Sequence, residues 1–162
     1  GELFRIPEPL IPTVGAKIRD LQNPNQKMSK STDNPKASVF LSDPEKTIRK
    51  KIMSAVTDSD GIIKFDEDEK PGVSNLLTIY SVFSGCEIED AVAKFEGGGY
   101  GDLKKAVADA VVEKVVPFQE KYNEVLASGM IDDILDAGRD YTNEIAKEKY
   151  ELVRKAVGFG RV

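Results

Sequence analysis

The chain has 162 residues, 40% hydrophobic and 31% charged, with a formal net charge of -5, a single cysteine and neither tryptophan nor histidine. That balance describes a globular protein rather than a disordered one, and no apolar run is long enough to span a bilayer, so a membrane partner is not expected. Without histidine there can be no Ser-His or Cys-His dyad and few zinc arrangements, so any chemistry must rest on lysine, arginine, carboxylates and backbone.

Cys86 has no partner for an internal disulfide, which suits a reducing compartment and makes the cytoplasm the expected location. The opening Gly1-Glu2-Leu3-Phe4-Arg5 has neither an initiator methionine nor the order of a signal peptide, and a start inside a longer protein is expected. The acidic balance disfavours a general nucleic-acid coat protein, though local basic clusters can still meet phosphate.

Residues 1–42 form an irregular arm in this reading. Prolines at 7, 9, 12, 24 and 35 interrupt helix, and Leu10-Ile11 and Val39-Phe40-Leu41 are only short apolar runs. Ser42-Asp43-Pro44-Glu45 carries the signals of a helix start. Ile48, Ile52 and Val56 then recur at fours, Lys46, Arg49, Lys50 and Lys51 fall mostly on other faces, and the helix is expected to end near Thr57-Asp58. Residues 58–72 are acidic and turn-rich, with a short extended piece expected at Ile62-Ile63-Lys64-Phe65.

Ser74 is the predicted cap of a helix carrying Leu76, Leu77, Tyr80 and Phe83, with Gly85 ending it. Ile88, Val92 and Phe95 predict a further short helix stopped by Gly97-Gly98-Gly99. From Asp102, the residues Leu103, Val107, Ala110, Val111, Val115, Phe118, Tyr122 and Val125 keep helical spacing, and Pro117 is expected to kink or divide that long helix. A last helical region carries Ile131, Ile134, Leu135, Ile145, Leu152 and Val153, with a break expected near Gly138 and an end near Gly158. The fold class is therefore mainly α: an irregular arm over 1–42, then a helical bundle over 43–162.

Within the arm, Lys27-Met28-Ser29-Lys30-Ser31 places two lysines and two hydroxyls in a stretch bounded by Asn23-Pro24-Asn25 and Asp33-Asn34-Pro35. Rotatable ammonium groups and hydroxyl donors in a short loop can close over a polyphosphate, whereas composition alone would leave them as a solvated polar loop. The literal string KMSKS resembles the second signature of class I aminoacyl-tRNA synthetases. Nearly the whole chain, about Ile6 to Arg161, is similar to the C-terminal half of bacterial-type tryptophanyl-tRNA synthetases. The stretches that carry the likeness before and just after the motif are Val14-Gly15-Ala16-Lys17-Ile18, Lys46-Thr47-Ile48, Lys50-Lys51-Ile52 and Ser54-Ala55-Val56-Thr57-Asp58-Ser59. Lys70-Pro71-Gly72-Val73-Ser74-Asn75-Leu76-Leu77, Gly99-Tyr100-Gly101 and Gly158-Phe159-Gly160-Arg161 extend it.

The resemblance implies that residues 1–42 are the end of the catalytic nucleotide-binding domain and that 43–162 form the helical anticodon-side domain. It implies that Lys27 and Lys30 serve catalysis and that Ile18, Lys27, Met28, Ser29, Lys30 and Ser31 bind ATP, with Ile18 offering its backbone to adenine; simple packing is the competing account of Ile18. It further implies ATP with Mg2+ on its phosphates as substrate, tryptophan and tRNA(Trp) as the other substrates, and a full-length homodimer. No protein-bound metal is expected.

Bacterial tyrosine enzymes, the nearest relatives, usually show Phe-Gly where this loop has Met28-Ser29, which favours tryptophan. Two departures stand out. Thr32-Asp33 follows the motif where many members have an acid and a proline, and the histidine-containing first signature cannot exist here, so the chain alone is expected to be almost inert. The competing readings are the tyrosine-specific relative and a free-standing helical interaction module.

Other clusters read as structure. The basic face Lys46, Arg49, Lys50, Lys51, and likewise Arg139, Lys147, Lys149, Arg154 and Lys155, are assigned to solvent rather than to transfer-RNA phosphate. Asp58, Asp60, Asp66, Glu67, Asp68 and Glu69 lack the spacing of a calcium loop. Gly97-Gly98-Gly99-Tyr100-Gly101 is not followed by the Lys-Ser/Thr of a phosphate cradle, and Cys86 reads as a packing residue.

Overall fold

The computed structural model describes residues 3–12 and 14–159; Gly160 and Arg161, quoted above for the family likeness, lie outside them. Among the described residues there are five helices and no strand: α1 Glu45–Met53, α2 Pro71–Ser84, α3 Ile88–Phe95, α4 Tyr100–Ala127 and α5 Met130–Val157. The mainly α expectation is met. The chain divides into two compact units, one of Ile11–Glu120 and one of the described residues of Gly1–Leu10 with Lys121–Val162.

In the unit Ile11–Glu120, periodic apolar residues become one core. Ile48 and Ile52 of α1, Val73, Leu76, Leu77 and Tyr80 of α2, Ala91 and Phe95 of α3, and Leu103, Val107, Val111 and Val115 of α4 are buried together. Burying a side chain of this kind contributes about 1.5–3 kcal/mol, so this set is what holds the unit. Tyr80 and Phe95 meet edge to face with ring centroids 5.0 Å apart. Leu21, Ala55 and Ile63 bring the loops onto the same core.

α1 ends at Met53, earlier than its apolar spacing predicts. The Ser54 hydroxyl donates to the Lys51 carbonyl, and the Val56 amide leaves the helix to donate to Leu21 at 2.7 Å. Nor does Ser42 or Asp43 cap the helix: its first position follows Pro44 without a side-chain cap, because the Asp43 carboxylate is engaged by Lys51 and by the Phe40 amide.

α2 begins at Pro71, three residues before the predicted cap. Proline suits the first helical position, where its missing donor costs nothing. Ser74 therefore lies inside the helix, where its hydroxyl oxygen accepts the Asp66 amide at 2.7 Å. Gly85 closes the helix at φ 71°, a conformation only glycine adopts without strain. Gly72 is needed for a different reason: a Cβ there would stand 2.2 Å from the Val56 carbonyl oxygen, so only glycine lets α2 approach that backbone.

The extended piece at residues 62–65 pairs with nothing among the described residues; Ile63 is buried as an anchor while Ile62 faces solvent. α4 runs undivided through Pro117. The intrahelical bond that Pro117 forgoes would have reached Glu113, and both residues are exposed, so water can take its place. α5 likewise continues through the exposed Gly138 and closes on Gly158. None of its residues is buried.

Candidate functional site

The KMSKS segment lies in the unit Ile11–Glu120 and is tied down at both ends. On its entry side, Arg19 and Lys27 form an isolated antiparallel bridge: the Asp20 amide donates to Gln26 and the Met28 amide donates to Ile18, each at 2.9 Å. The turn between them is held by the buried Asp20, whose carboxylate accepts the amides of Gln22 at 2.7 Å and Asn23 at 3.0 Å. Leu21 donates to the Ala37 carbonyl at 2.9 Å, linking the two sides of the loop.

Behind the bridge sits Asn75 of α2. Its carboxamide oxygen accepts the Arg19 amide at 2.8 Å and its amino group donates to the Arg19 carbonyl at 2.9 Å. Both polar functions of a buried side chain are thus spent on the backbone of one residue, fixing the base of the loop to the core helix. On the exit side, the hydroxyl of buried Ser38 donates to the Ser29 carbonyl at 2.8 Å. The Ser38 carbonyl in turn accepts Lys51 Nζ at 2.9 Å, and that ammonium also donates to Asp43 Oδ2 at 2.6 Å and lies 4.8 Å above the Phe40 ring.

Between the clamps the motif's side chains diverge. Met28 is half-buried and packs on the core with Ile18, whose backbone carbonyl is the one that receives Met28. Lys27, Ser29, Lys30 and Ser31 are exposed, and among the described residues neither lysine makes an ion pair. The Ser29 and Ser31 hydroxyls are 3.0 Å apart, and the Ser31 amide points at the Ser29 oxygen at 3.3 Å. Two uncompensated cations and two hydroxyls on a pinned backbone form a surface that attracts and can bond an oxyanion.

Sequence reasoning missed the clamps. A signal existed for Lys51, which sits three residues after Ile48 and one before Ile52, on the apolar stripe, and for Asn75, a lone amide amid Val73, Leu76 and Leu77. Ser38 carried no signal. Of the other basic residues on α1, Lys46 and Lys50 are exposed, while Arg49 pairs with Glu45 at 2.8 Å and with Asp109.

A second polar cluster lies where residues 58–70 meet the start of α4. The ammonium of buried Lys70 bonds Asp58 at 3.2 Å, Asp60 and the Tyr100 hydroxyl oxygen, and the single proton of that hydroxyl has three acceptors in reach: Asp58, Asp60 at 2.9 Å and the Ile62 carbonyl at 3.1 Å. Burial favours neutral Lys70, but its bonds to Asp60, Tyr100 and Asp58 prevail and hold its pKa above the ordinary lysine range. The Lys70 ammonium, then the Ile62 amide, hold the Asp60 carboxyl well below the usual carboxylate range. Burial, and then the Asp58 and Asp60 carboxylates, push the Tyr100 hydroxyl up to about 12. These acids are therefore structural counterions to Lys70.

The profile of the class I tRNA synthetases (W and Y) matches residues 1–115. A tryptophan–tRNA ligase of Halalkalibacterium halodurans is 50% identical over 161 residues, covering 99% of this chain and 49% of that protein. The tryptophan–tRNA ligases of Bacillus anthracis and Bacillus subtilis are 52% and 49% identical over similar spans. The chain thus spans about half the length of the curated relatives it matches. Among solved structures, tryptophanyl-tRNA synthetase from Mycoplasma pneumoniae superposes with a TM-score of 0.83 at 31% identity, covering 92% of this chain and 45% of that one. The Campylobacter jejuni enzyme, crystallised with ADP and tryptophan, superposes with a TM-score of 0.66 at 29% identity over 98% of this chain and 48% of that one.

Proposed function

This chain belongs to the class I tRNA synthetases of the tryptophan and tyrosine branch, and from that premise we propose that it is the C-terminal half of a tryptophan–tRNA ligase. Such an enzyme activates tryptophan with ATP, releases pyrophosphate and passes the aminoacyl group to tRNA(Trp). The observation that carries the reading is the pinned KMSKS segment, whose two lysines have no ion-pair partner among the described residues, in a chain half-identical to tryptophan–tRNA ligases along almost its whole length.

In this reading ATP enters as its magnesium complex and its phosphates lie against residues 27–31. Lys27 and Lys30 supply positive charge to the departing pyrophosphate without taking or giving a proton. Ser29 and Ser31 donate hydroxyl hydrogen bonds, the Ile18 backbone faces the adenine, and Met28 anchors the strip to the core. Residues 1–42 act as the end of the nucleotide-binding domain, and 43–162 as the anticodon-side helical domain. The working enzyme is a cytoplasmic homodimer.

The test is ATP–pyrophosphate exchange by the full-length protein that carries this chain. Exchange that depends on tryptophan and ignores tyrosine supports the reading; exchange that depends on tyrosine transfers it to the sister specificity; exchange with neither defeats it. The 162-residue chain by itself should give no tryptophan-dependent exchange, because the rest of the reacting geometry is supplied elsewhere.

A further inference from the structure

We propose that Ser38 is a positioning residue for amino-acid activation, acting through Ser29 to set the placement of Lys30 relative to Lys27. The proposal rests on the ligase reading above. Its physical basis is the two-residue span, Met28-Ser29, between the lysines. The Met28 amide is held by Ile18 and the Ser29 carbonyl by the Ser38 hydroxyl, so the Met28-Ser29 backbone is fixed at its first and last polar atoms. Lys27 ends where that span begins, and Lys30 starts where it ends. Fixing the span fixes the distance and direction between the two cations' points of attachment.

Ser38 is itself immobilised. It is 3% exposed, its carbonyl accepts the buried Lys51 ammonium of α1, and the preceding residue, Ala37, is bonded through its carbonyl to Leu21 and through its amide to Asn34. The motif is thereby referenced to the core, while Lys30 to Lys36 is exposed apart from Thr32. Without the hydroxyl, Ser29 loses the one side-chain anchor outside the loop that it has among the described residues, and Lys30 must be ordered anew each time phosphate charge develops. Ordering one residue's backbone costs enough to slow the step by roughly tenfold.

The distinguishing readout is that pyrophosphate leaves during activation but plays no part in transfer to tRNA. In the full-length protein, Ser38→Ala should lower the single-turnover rate of tryptophanyl-adenylate formation about tenfold, leave the KM for tryptophan unchanged, and leave the rate of transfer from preformed enzyme-bound adenylate to tRNA at the wild-type value. Ser38→Thr, which retains the hydroxyl, should activate faster than Ser38→Ala. A variant that loses activation and transfer in equal proportion would make Ser38 merely structural, and one that activates at the wild-type rate or faster would make the bond irrelevant or a brake. Either result, or a threonine variant no faster than alanine, overturns the proposal. A wild-type protein without tryptophan-dependent exchange would overturn the ligase reading itself, a failure visible before any variant is made.

Discussion

Lys51→Met should destabilise the chain by about 3 kcal/mol, even though most lysines on this protein can be replaced at little cost. Methionine keeps the apolar stem, so the loss isolates the ammonium. That group serves Asp43 at 2.6 Å, the Ser38 carbonyl at 2.9 Å and the Phe40 ring. Its removal leaves the Asp43 carboxylate, whose side chain is only 14% exposed, with the Phe40 amide as its remaining partner. Breaking one side of a buried pair costs about 3–5 kcal/mol because the survivor is stranded, and the partial access of water to Asp43 places this case at the lower end. The exposed neighbour Lys50 provides the control, with Lys50→Met expected within about 0.5 kcal/mol of wild type. Urea unfolding followed by circular dichroism would measure both, with the shift read from the midpoint at constant slope. A cycle with Asp43→Asn should show a coupling of about 2 kcal/mol. If Lys51→Met cost no more than Lys50→Met, the buried-pair argument, and the rigid seat it gives Ser38, would be refuted.

Gly72→Ala should destabilise the fold by at least about 2 kcal/mol in the same unfolding assay, since its Cβ would collide with the Val56 carbonyl oxygen and α2 would have to retreat from the core. Stability should also fall at alkaline pH. The Tyr100 hydroxyl is pushed up to about 12 in the fold and Lys70 is raised as well, so the folded state holds protons that the unfolded chain gives up first; the contribution is complete below about pH 10 and is lost as pH rises towards 12. Tyr100→Phe should flatten that alkaline decline, and a decline of unchanged steepness would contradict the cluster's role.

Much of this fold could be read from residue spacing, and the failures share a cause. α3 and α4 follow their apolar periodicity, and Gly85 and Gly158 end helices as glycine should. The end of α1 was hidden because Val56 continues the spacing of Ile48 and Ile52, while the pull that ends the helix comes from Leu21, distant in sequence. Neither Pro117 nor Gly138 divides its helix: both are exposed, water can take the bond that Pro117 forgoes, and Gly138 costs only conformational entropy. The KMSKS string was conspicuous as a motif, but the residues that hold it were not. Asn75 stands out as a lone amide on an apolar stretch, but its partner, the Arg19 backbone, and the Ser38 bond to the Ser29 backbone leave no mark in the local pattern.

On the proposed ligase reading, Lys30 of the full-length protein acts on the transition state for activation rather than on bound ATP. Lys30→Ala should slow single-turnover formation of tryptophanyl-adenylate by about a hundredfold or more, the roughly 3 kcal/mol expected for one preorganised charge-stabilising group, while the affinities for ATP and tryptophan change little. A variant that kept its activation rate and lost only ATP affinity, or that changed in neither, would contradict it.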